Sequence, residues 1–483
     1  MKKKSIGLNA ILNGFRGILS LLFPLITFPY VSHVLGVKGI GIYNFSSSYV
    51  NYFSLLAALG ISTYAIREGA KYRDNKRKIN MFASQIFTIN IWSTLVAYVL
   101  LFLSLFIFNT LKNYVSCILV FSIQILFTTL GTEWVYSIYE DYLYITVRSI
   151  VFNVLSILLM FIFVRNPNDY LNYSLITVIA SVGSNLINFV HARKILNIKL
   201  VCKINWKYHL KPILVIFASS VAVMIYVNSD VTILGFMKNS YVVGIYSVSA
   251  KIYTMVKTVL VNILIVTVPR LAMLLGKKKY REYNSILLKV ILNTFVVTLP
   301  AMTGMFMLSK YVIQIIAGTH FLTANTSLKI LCIALIFSMF SWILSDCILI
   351  PAKRENKVLI NTLISALINI IFNILFIPSM NENAAAISTV LAEGYMMISN
   401  LYYSWYYVQD IIKSKLFIKN LISIFLGCGG IIIECFLCNI GFSSNILKIS
   451  SSIILSIIMY VAILVLLKND VVMSFFNNLK KRL

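Results

Sequence analysis

Almost the whole chain is a succession of apolar stretches, each long enough to cross a bilayer, separated by short charged segments. A membrane helix needs about 20 mainly apolar residues, and in hydrocarbon only helices and closed barrels satisfy their own backbone polar groups. On that criterion fourteen spans are expected, at 9–35, 40–66, 81–108, 115–138, 143–164, 171–192, 212–237, 241–268, 286–309, 328–350, 358–377, 384–407, 420–438 and 447–467. Only 12% of residues are charged and 59% are hydrophobic, against about 25% charged in soluble proteins. The fold class is therefore all-α integral membrane. A secreted enzyme, a cytosolic regulator and a nucleic-acid binder on a membrane tether are excluded. Met1-Lys2-Lys3-Lys4 begins like a signal peptide, but the apolar stretch after it is long and no A-x-A-like site follows. It is expected to stay as the first helix, kinked or broken in its outer half by Pro24 and Pro29.

A net charge of +27 would ordinarily suggest nucleic acid, so the placement of the cations matters. With the N-terminus inside, 31 of the 42 Lys and Arg fall in cytoplasmic segments. Seven fall outside: Lys38, Lys112, Arg165, Lys238, Lys310, Lys329 and Lys448. Four, Arg16, Lys251, Lys257 and Lys289, lie inside spans. This asymmetry predicts that both termini are cytoplasmic, in the cell membrane, and that the basic balance reflects topology.

The chain repeats itself once. Leu35-Gly36 followed by Gly41-Ile42-Tyr43-Asn44-Phe45-Ser46 returns as Leu234-Gly235 followed by Gly244-Ile245-Tyr246-Ser247-Val248-Ser249. Six spans separate the copies, so both point the same way across the membrane. The expected organisation is two six-helix lobes in parallel repeat, 1–211 and 212–411, with two further helices and a cytoplasmic tail over 412–483.

Charges inside a span are costly and should face a cavity or a partner. Asn9, Asn13, Arg16, Ser20 and Thr27 share one stripe of the first span; Asn44, Ser48 and Asn51 share one on the second. Ser219, Tyr226 and Asp230 align on the seventh, and Ser247, Lys251, Thr254, Thr258 and Asn262 on the eighth. Internal pairing, such as Lys251 with Asp230, would account for some of these. Four aligned stripes favour a water-filled cavity lined by spans one, two, seven and eight. Lys257, about 120° around its helix from Lys251, is expected to face another neighbour. Glu133, Asp346, Glu393 and Glu434 also lie in or near spans, without a sequence signal of role.

No enzyme or cofactor constellation is present. His33, His191, His209 and His320 share no metal-ligand spacing, and the Cys435–Cys438 pair lies within a span, where thiols act as small apolar side chains. Gly36-x-x-Gly39-x-Gly41 sits at a span junction and not at a strand-to-helix turn, so it is not read as a phosphate loop.

Three segments resemble those of the Wzx-type polysaccharide repeat-unit flippases, within the multidrug, oligosaccharidyl-lipid and polysaccharide exporter superfamily. They are Phe28-Pro29-Tyr30-Val31-Ser32-His33-Val34-Leu35-Gly36 with Gly39, Gly41, Asn44 and Phe45; Leu59-Gly60-Ile61-Ser62-Thr63-Tyr64-Ala65-Ile66-Arg67-Glu68; and Glu133-Trp134-Val135-Tyr136 with Glu140-Asp141-Tyr142, Tyr144-Ile145-Thr146 and Arg148. The resemblance covers about residues 10–160. Where such proteins often carry Arg before Val-Leu-Gly, this chain has His33. The resemblance implies translocation of a polyprenyl-pyrophosphate-linked oligosaccharide for capsule, O-antigen or exopolysaccharide assembly, by alternating access of a cationic cavity.

On this reading Asn13, Arg16, Asn51, Asp230, Lys251 and Lys257 line the cavity. Arg67, Glu133, Trp134, Glu140, Asp141 and Arg148 form a gate, with Glu140 and Arg148 coupled if the third segment stays helical. The partners are the lipid-linked oligosaccharide, the bilayer and polysaccharide polymerase or assembly proteins, with no nucleic acid, cofactor or metal. A lipid II-type flippase and a multidrug exporter are the alternatives within the superfamily. Cationic drugs would favour a carboxylate-lined cavity, and a polytopic polymerase would show a large outer loop or a catalytic domain.

Overall fold

The structure, a computed structural model, describes residues 6–442 and 444–480, with side chains described for these except at 6–22, 142, 445, 446 and 478–480. The described residues are mainly helical and contain no strand. They divide into two compact units, residues 1–244 and 245–483.

Unit 1 begins with α1 (Ile6–Ala58), α2 (Ile61–Gly69), α3 (Lys76–Ile107), α4 (Val115–Gly131) and α5 (Glu133–Ile138). It continues with α6 (Tyr142–Phe163), α7 (Tyr170–Val182), α8 (Asn185–Ile195) and α9 (Trp206–Met237). The chain crosses into unit 2 along α10 (Ser240–Leu264), followed by α11 (Val268–Gly276), α12 (Tyr280–Ile316), α13 (Ala324–Trp342), α14 (Glu355–Met380), α15 (Glu382–Ile412), α16 (Lys415–Gly441), α17 (Asn445–Leu466) and α18 (Asp470–Lys480). Twelve helical segments among the described residues are long and apolar enough to cross a membrane. Two physical details connect that number with fourteen expected spans. The first two spans form one helix, α1, interrupted only at Gly36, whose φ of 63° and ψ of −173° only glycine adopts readily. The span expected at 384–407 is helical as α15, but Glu393 and its Asn, Ser and Tyr residues leave it less apolar.

The departure from helical geometry in α1 thus lies at Gly36 and not at Pro24 or Pro29. The φ that proline fixes is itself helical, so a proline removes a hydrogen bond without forcing a reversal. Three other expected spans are also interrupted in unit 1. The second ends at Ala58, where Leu59 (φ 46°) and Gly60 (φ 71°) turn the chain into α2. The fourth breaks at Thr132 (φ 41°), and the sixth between α7 and α8. In unit 2, α12, α14, α15 and α16 run unbroken, while α13 loosens at its end into a π-helix over Ile343–Leu349.

One core of unit 1 gathers Ile61, Tyr64, Phe82, Trp134, Tyr136, Ile145, Leu196 and Ile213 from α2, α3, α5, α6, α9 and the segment after α8. That segment is laid along α3 by side-chain hydrogen bonds. Asn80 Oδ1 accepts from the Asn197 amide, Ser84 Oγ from that of Lys199 and Thr88 Oγ1 from that of Val201, at 3.1, 3.2 and 3.1 Å. The spacing of Asn80, Ser84 and Thr88 puts all three on one face of α3.

The two copies of the internal repeat meet within unit 1. A Cβ added at Gly41 would lie 1.7 Å from the Ser240 carbonyl oxygen, and one added at Gly244 would lie 2.0 Å from that of Val37. Backbone therefore touches backbone at two positions that are equivalent in the repeat.

Candidate functional site

The residues expected along a transport path fall in both units. Asn13 and Arg16 lie outside the described side chains. Asn51, on the second half of α1, accepts at Oδ1 a hydrogen bond from Gln124 Nε2 of α4 (3.3 Å), and Ser54 one turn on lies 3.4 Å from the same amide. Asp230 of α9 is buried. Close by in sequence, the Thr232 hydroxyl donates to Tyr52 Oη at 3.4 Å.

In unit 2 two lysines of α10 differ in their surroundings. Lys257 Nζ sits 2.8 Å from Glu393 Oε1 of α15, and the Tyr253 hydroxyl donates to the same oxygen at 3.3 Å. Glu393 is almost wholly buried, at 5% side-chain exposure. Lys257 thus faces another neighbour, as its position around the helix indicated. Lys251 is half-buried, and its Nζ has no hydrogen bond or ion pair among the described residues.

Beside the Lys257–Glu393 pair runs a polar ladder that sequence reasoning missed. Asn361, Ser365, Asn369 and Asn373 occupy one face of α14 at four-residue spacing, all fully buried. Asn361 Nδ2 donates to Asn400 Oδ1 (2.8 Å), Ser365 Oγ to the Ala392 carbonyl (2.8 Å), and Ser388 Oγ to Asn373 Oδ1 (2.9 Å). Asn400 in turn donates to Ser341 Oγ of α13 at 3.0 Å. The regular spacing was available in the sequence as a polar stripe.

The residues expected to form a gate all lie in unit 1, with corrections to their pairing. The chain does not stay helical between Glu133 and Arg148: Glu140 takes a φ of 58°, and Asp141 lies outside α6. The condition for coupling Glu140 to Arg148 is therefore not met, and Arg148 pairs with Glu133 instead. Glu140 Oε1 accepts from Arg73 Nη1 at 2.9 Å. Arg148 is 92% buried by its side-chain exposure of 8%, and its Nε and Nη1 have no partner among the described residues. The guanidinium lies 6.0 Å from the Tyr144 ring centre, and Tyr144, Tyr136 and His191 stack with centroids 4.6–5.7 Å apart. Trp134 is buried in the unit 1 core, while Arg67 is exposed and held 3.2 Å from Glu68.

His209, at the start of α9, is buried. Its Nδ1 lies 2.9 Å from the Tyr64 hydroxyl and its Nε2 2.7 Å from Gln85 Oε1. Since the amide oxygen only accepts, Nε2 carries the proton and Nδ1 accepts from Tyr64. No group of three His, Cys, Asp or Glu among the described residues is placed to hold a metal.

Comparison with known proteins agrees with this architecture. The solved lipid II flippase MurJ, in an inward closed conformation, superposes with a TM-score of 0.75 at 17% identity, covering 96% of this chain and 99% of that one. An inward-facing transporter of the multidrug resistance MATE family superposes with a TM-score of 0.61 at 13% identity, covering 83% and 99%. At those identities the likeness is one of fold. Two curated relatives are both described as "Putative O-antigen transporter". One, from Shigella dysenteriae, is 22% identical over 73% of this chain and 88% of its own length. The other, from Escherichia coli (strain K12), is 27% identical over 46% of this chain and 54% of its own length.

These features define a multi-pass, all-helical membrane protein with the fold seen in MurJ and the MATE-family transporter. The family model described as "Polysaccharide biosynthesis protein" matches residues 6–275, more than half of the sequence, and the chain belongs to that family.

Proposed function

We propose that this protein flips a polyprenyl-pyrophosphate-linked oligosaccharide, of the kind used to build O-antigen or capsule, across the cytoplasmic membrane by alternating access. The observation that carries the proposal is Lys251. A charge within a span costs several kcal/mol unless it is paired or serves a path, and Lys251 has no partner among the described residues while Lys257 is matched by Glu393. An unmatched cation suits the pyrophosphate of the substrate. Arg16, on the polar stripe of the first span, would offer a fork of donors suited to phosphate. Arg67, Glu133, Trp134, Glu140, Asp141 and Arg148 of unit 1 would form the gate. Both termini would be cytoplasmic, in keeping with the cation asymmetry. Polymerase or assembly proteins would take the flipped unit on the outer side.

Surface polysaccharide and membrane abundance, measured together in a deletion strain, test this. Lys251→Glu is expected to abolish export and Arg16→Lys to retain part of it, with protein levels near normal. Normal export from the Arg16→Ala, Lys251→Ala double mutant would remove the anionic-headgroup reading and return the drug-exporter alternative.

A further inference from the structure

One surface of unit 2 combines charge and apolar length in a way that transport of the substrate does not use. Along α16, Lys415, Ile418, Lys419, Ile422 and Leu426 fall on a single face, and Leu467 from the turn after α17 closes its side. They line an open cleft of about 410 Å³. Its floor is exposed: Ile418, Ile422, Leu426 and Leu467 keep 48%, 55%, 55% and 39% of their surface. From Lys415 to Leu426 the helix rises about 16 Å, close to the half-thickness of a bilayer's hydrocarbon core, about 15 Å. From Lys419 to Leu426 the rise is about 10 Å, so the two lysines cap an apolar channel about two-thirds of a leaflet deep.

The charged end is fixed in place. Asn420 Nδ2 donates to Asp470 Oδ2, and the Asp470 amide donates back to Asn420 Oδ1, each at 2.8 Å. Asn469 Nδ2 donates to Ser423 Oγ at 2.6 Å. Lys419 Nζ donates to the Lys468 carbonyl at 3.1 Å and stays 3.9 Å from Asp470 Oδ2. That carboxylate is already engaged by Asn420, and Lys415 Nζ has no hydrogen bond or ion pair among the described residues. With Lys413 and Lys468 close by in the chain, four lysines face two carboxylates at this end, Asp410 and Asp470.

We propose that this cleft seats one diacyl phospholipid with an anionic headgroup, its phosphate on Lys415 and Lys419 and an acyl chain along Ile418, Ile422 and Leu426. Basic pockets at helix ends attract anionic lipid headgroups. A zwitterionic lipid brings its amine to the same lysines and loses that preference. The proposal needs only that the protein spans a membrane, so it stands or falls apart from the identity of the transported substrate.

Native mass spectrometry of the full chain in neutral detergent, titrated with phosphatidylglycerol or phosphatidylcholine, tests it. Phosphatidylglycerol is expected to be retained about tenfold more tightly. Lys415→Gln and Lys419→Gln should each weaken it about fivefold, the factor carried by one lysine near an anionic surface. Ile422→Trp fills the channel with both lysines in place and should lower binding of both lipids. A Lys277→Gln, Lys278→Gln control, elsewhere in unit 2, should change nothing. Melting in lipid-free detergent checks that each variant is folded, and Ile422→Trp carries the test if the lysine variants are not. Equal retention of the two lipids, a preference that survives the double lysine variant, or displacement of phosphatidylglycerol by polyprenyl phosphate would overturn the proposal.

Discussion

In unit 1 the paired carboxylates lie where helices are interrupted; in unit 2 Glu393 lies midway along a helix of 31 residues. Glu133 follows the Thr132 reversal and keeps 40% of its side chain exposed, and Glu140, itself at a reversal, keeps 49%. Glu393 keeps 5% and is reached by Lys257 and Tyr253 from α10. A helix break gives a charged side chain access to water, so the loss of its partner is softened. An unbroken helix offers no such relief, and the charge then depends on what the neighbouring helices present.

The largest expected effect follows from that dependence. Lys257→Met leaves Glu393 buried without its cation, and should lower stability by about 3–5 kcal/mol, read as lost membrane abundance and a lower melting temperature. Adding Glu393→Leu should recover most of it, because replacing both members of a buried pair with apolar groups is often neutral. A mild single mutant would mean that water reaches Glu393, and the contrast between the units would disappear.

A smaller effect is expected in unit 1. A double-mutant cycle with Glu133→Gln and Arg148→Gln should give a coupling of about 1.5–3 kcal/mol, the range for hydrogen bonds to charged groups. Glu140→Gln with Arg148→Gln should be additive within about 0.5 kcal/mol, because Glu140 bonds to Arg73. Stronger coupling to Glu140 than to Glu133 would refute the assigned pairing.

The smallest effect concerns the connection between α6 and α7. The Arg165 and Asn166 amides, which donate to Asp169 Oδ2 at 3.0 and 2.8 Å, hold its carboxyl below the ordinary value of 3.8. A depressed folded pKa stabilises above the unfolded value and loses that contribution as the pH falls through the folded one. Asp169→Asn should therefore lower stability slightly at neutral pH and flatten the acid limb of the melting profile, the two profiles converging below about pH 4. A difference at pH 3 as large as that at pH 7 would show that another contact governs the turn.

Much of the fold was legible because membrane helices announce themselves locally: about 20 apolar residues, bounded by Lys and Arg, need no knowledge of distant parts of the chain. The breaks at Leu59, Thr132 and Glu140 were not, since a left-handed residue inside an apolar run leaves the average hydropathy unchanged. Nor were the partners. Lys257 and Glu393 were both singled out, but 136 residues separate them and nothing local joins them. The hold of α3 on the segment after α8 spans 113 to 117 residues and uses Asn, Ser and Thr side chains common in any span. Lys251 stood out because a charge in a span is rare enough to be noticed alone.

The contact at Gly41 and Gly244 has a further consequence. Positions that are equivalent in a repeat ordinarily drift apart independently, each answering to its own surroundings. Here each copy is the other's surroundings: the space that a methyl group at Gly41 would need is filled by the second copy, and that at Gly244 by the first. A duplicated ancestor with identical halves would have met its own motif at this point, and any enlargement would have been imposed twice. The stretch in which the sequence still echoes itself is the stretch in which the echoes touch.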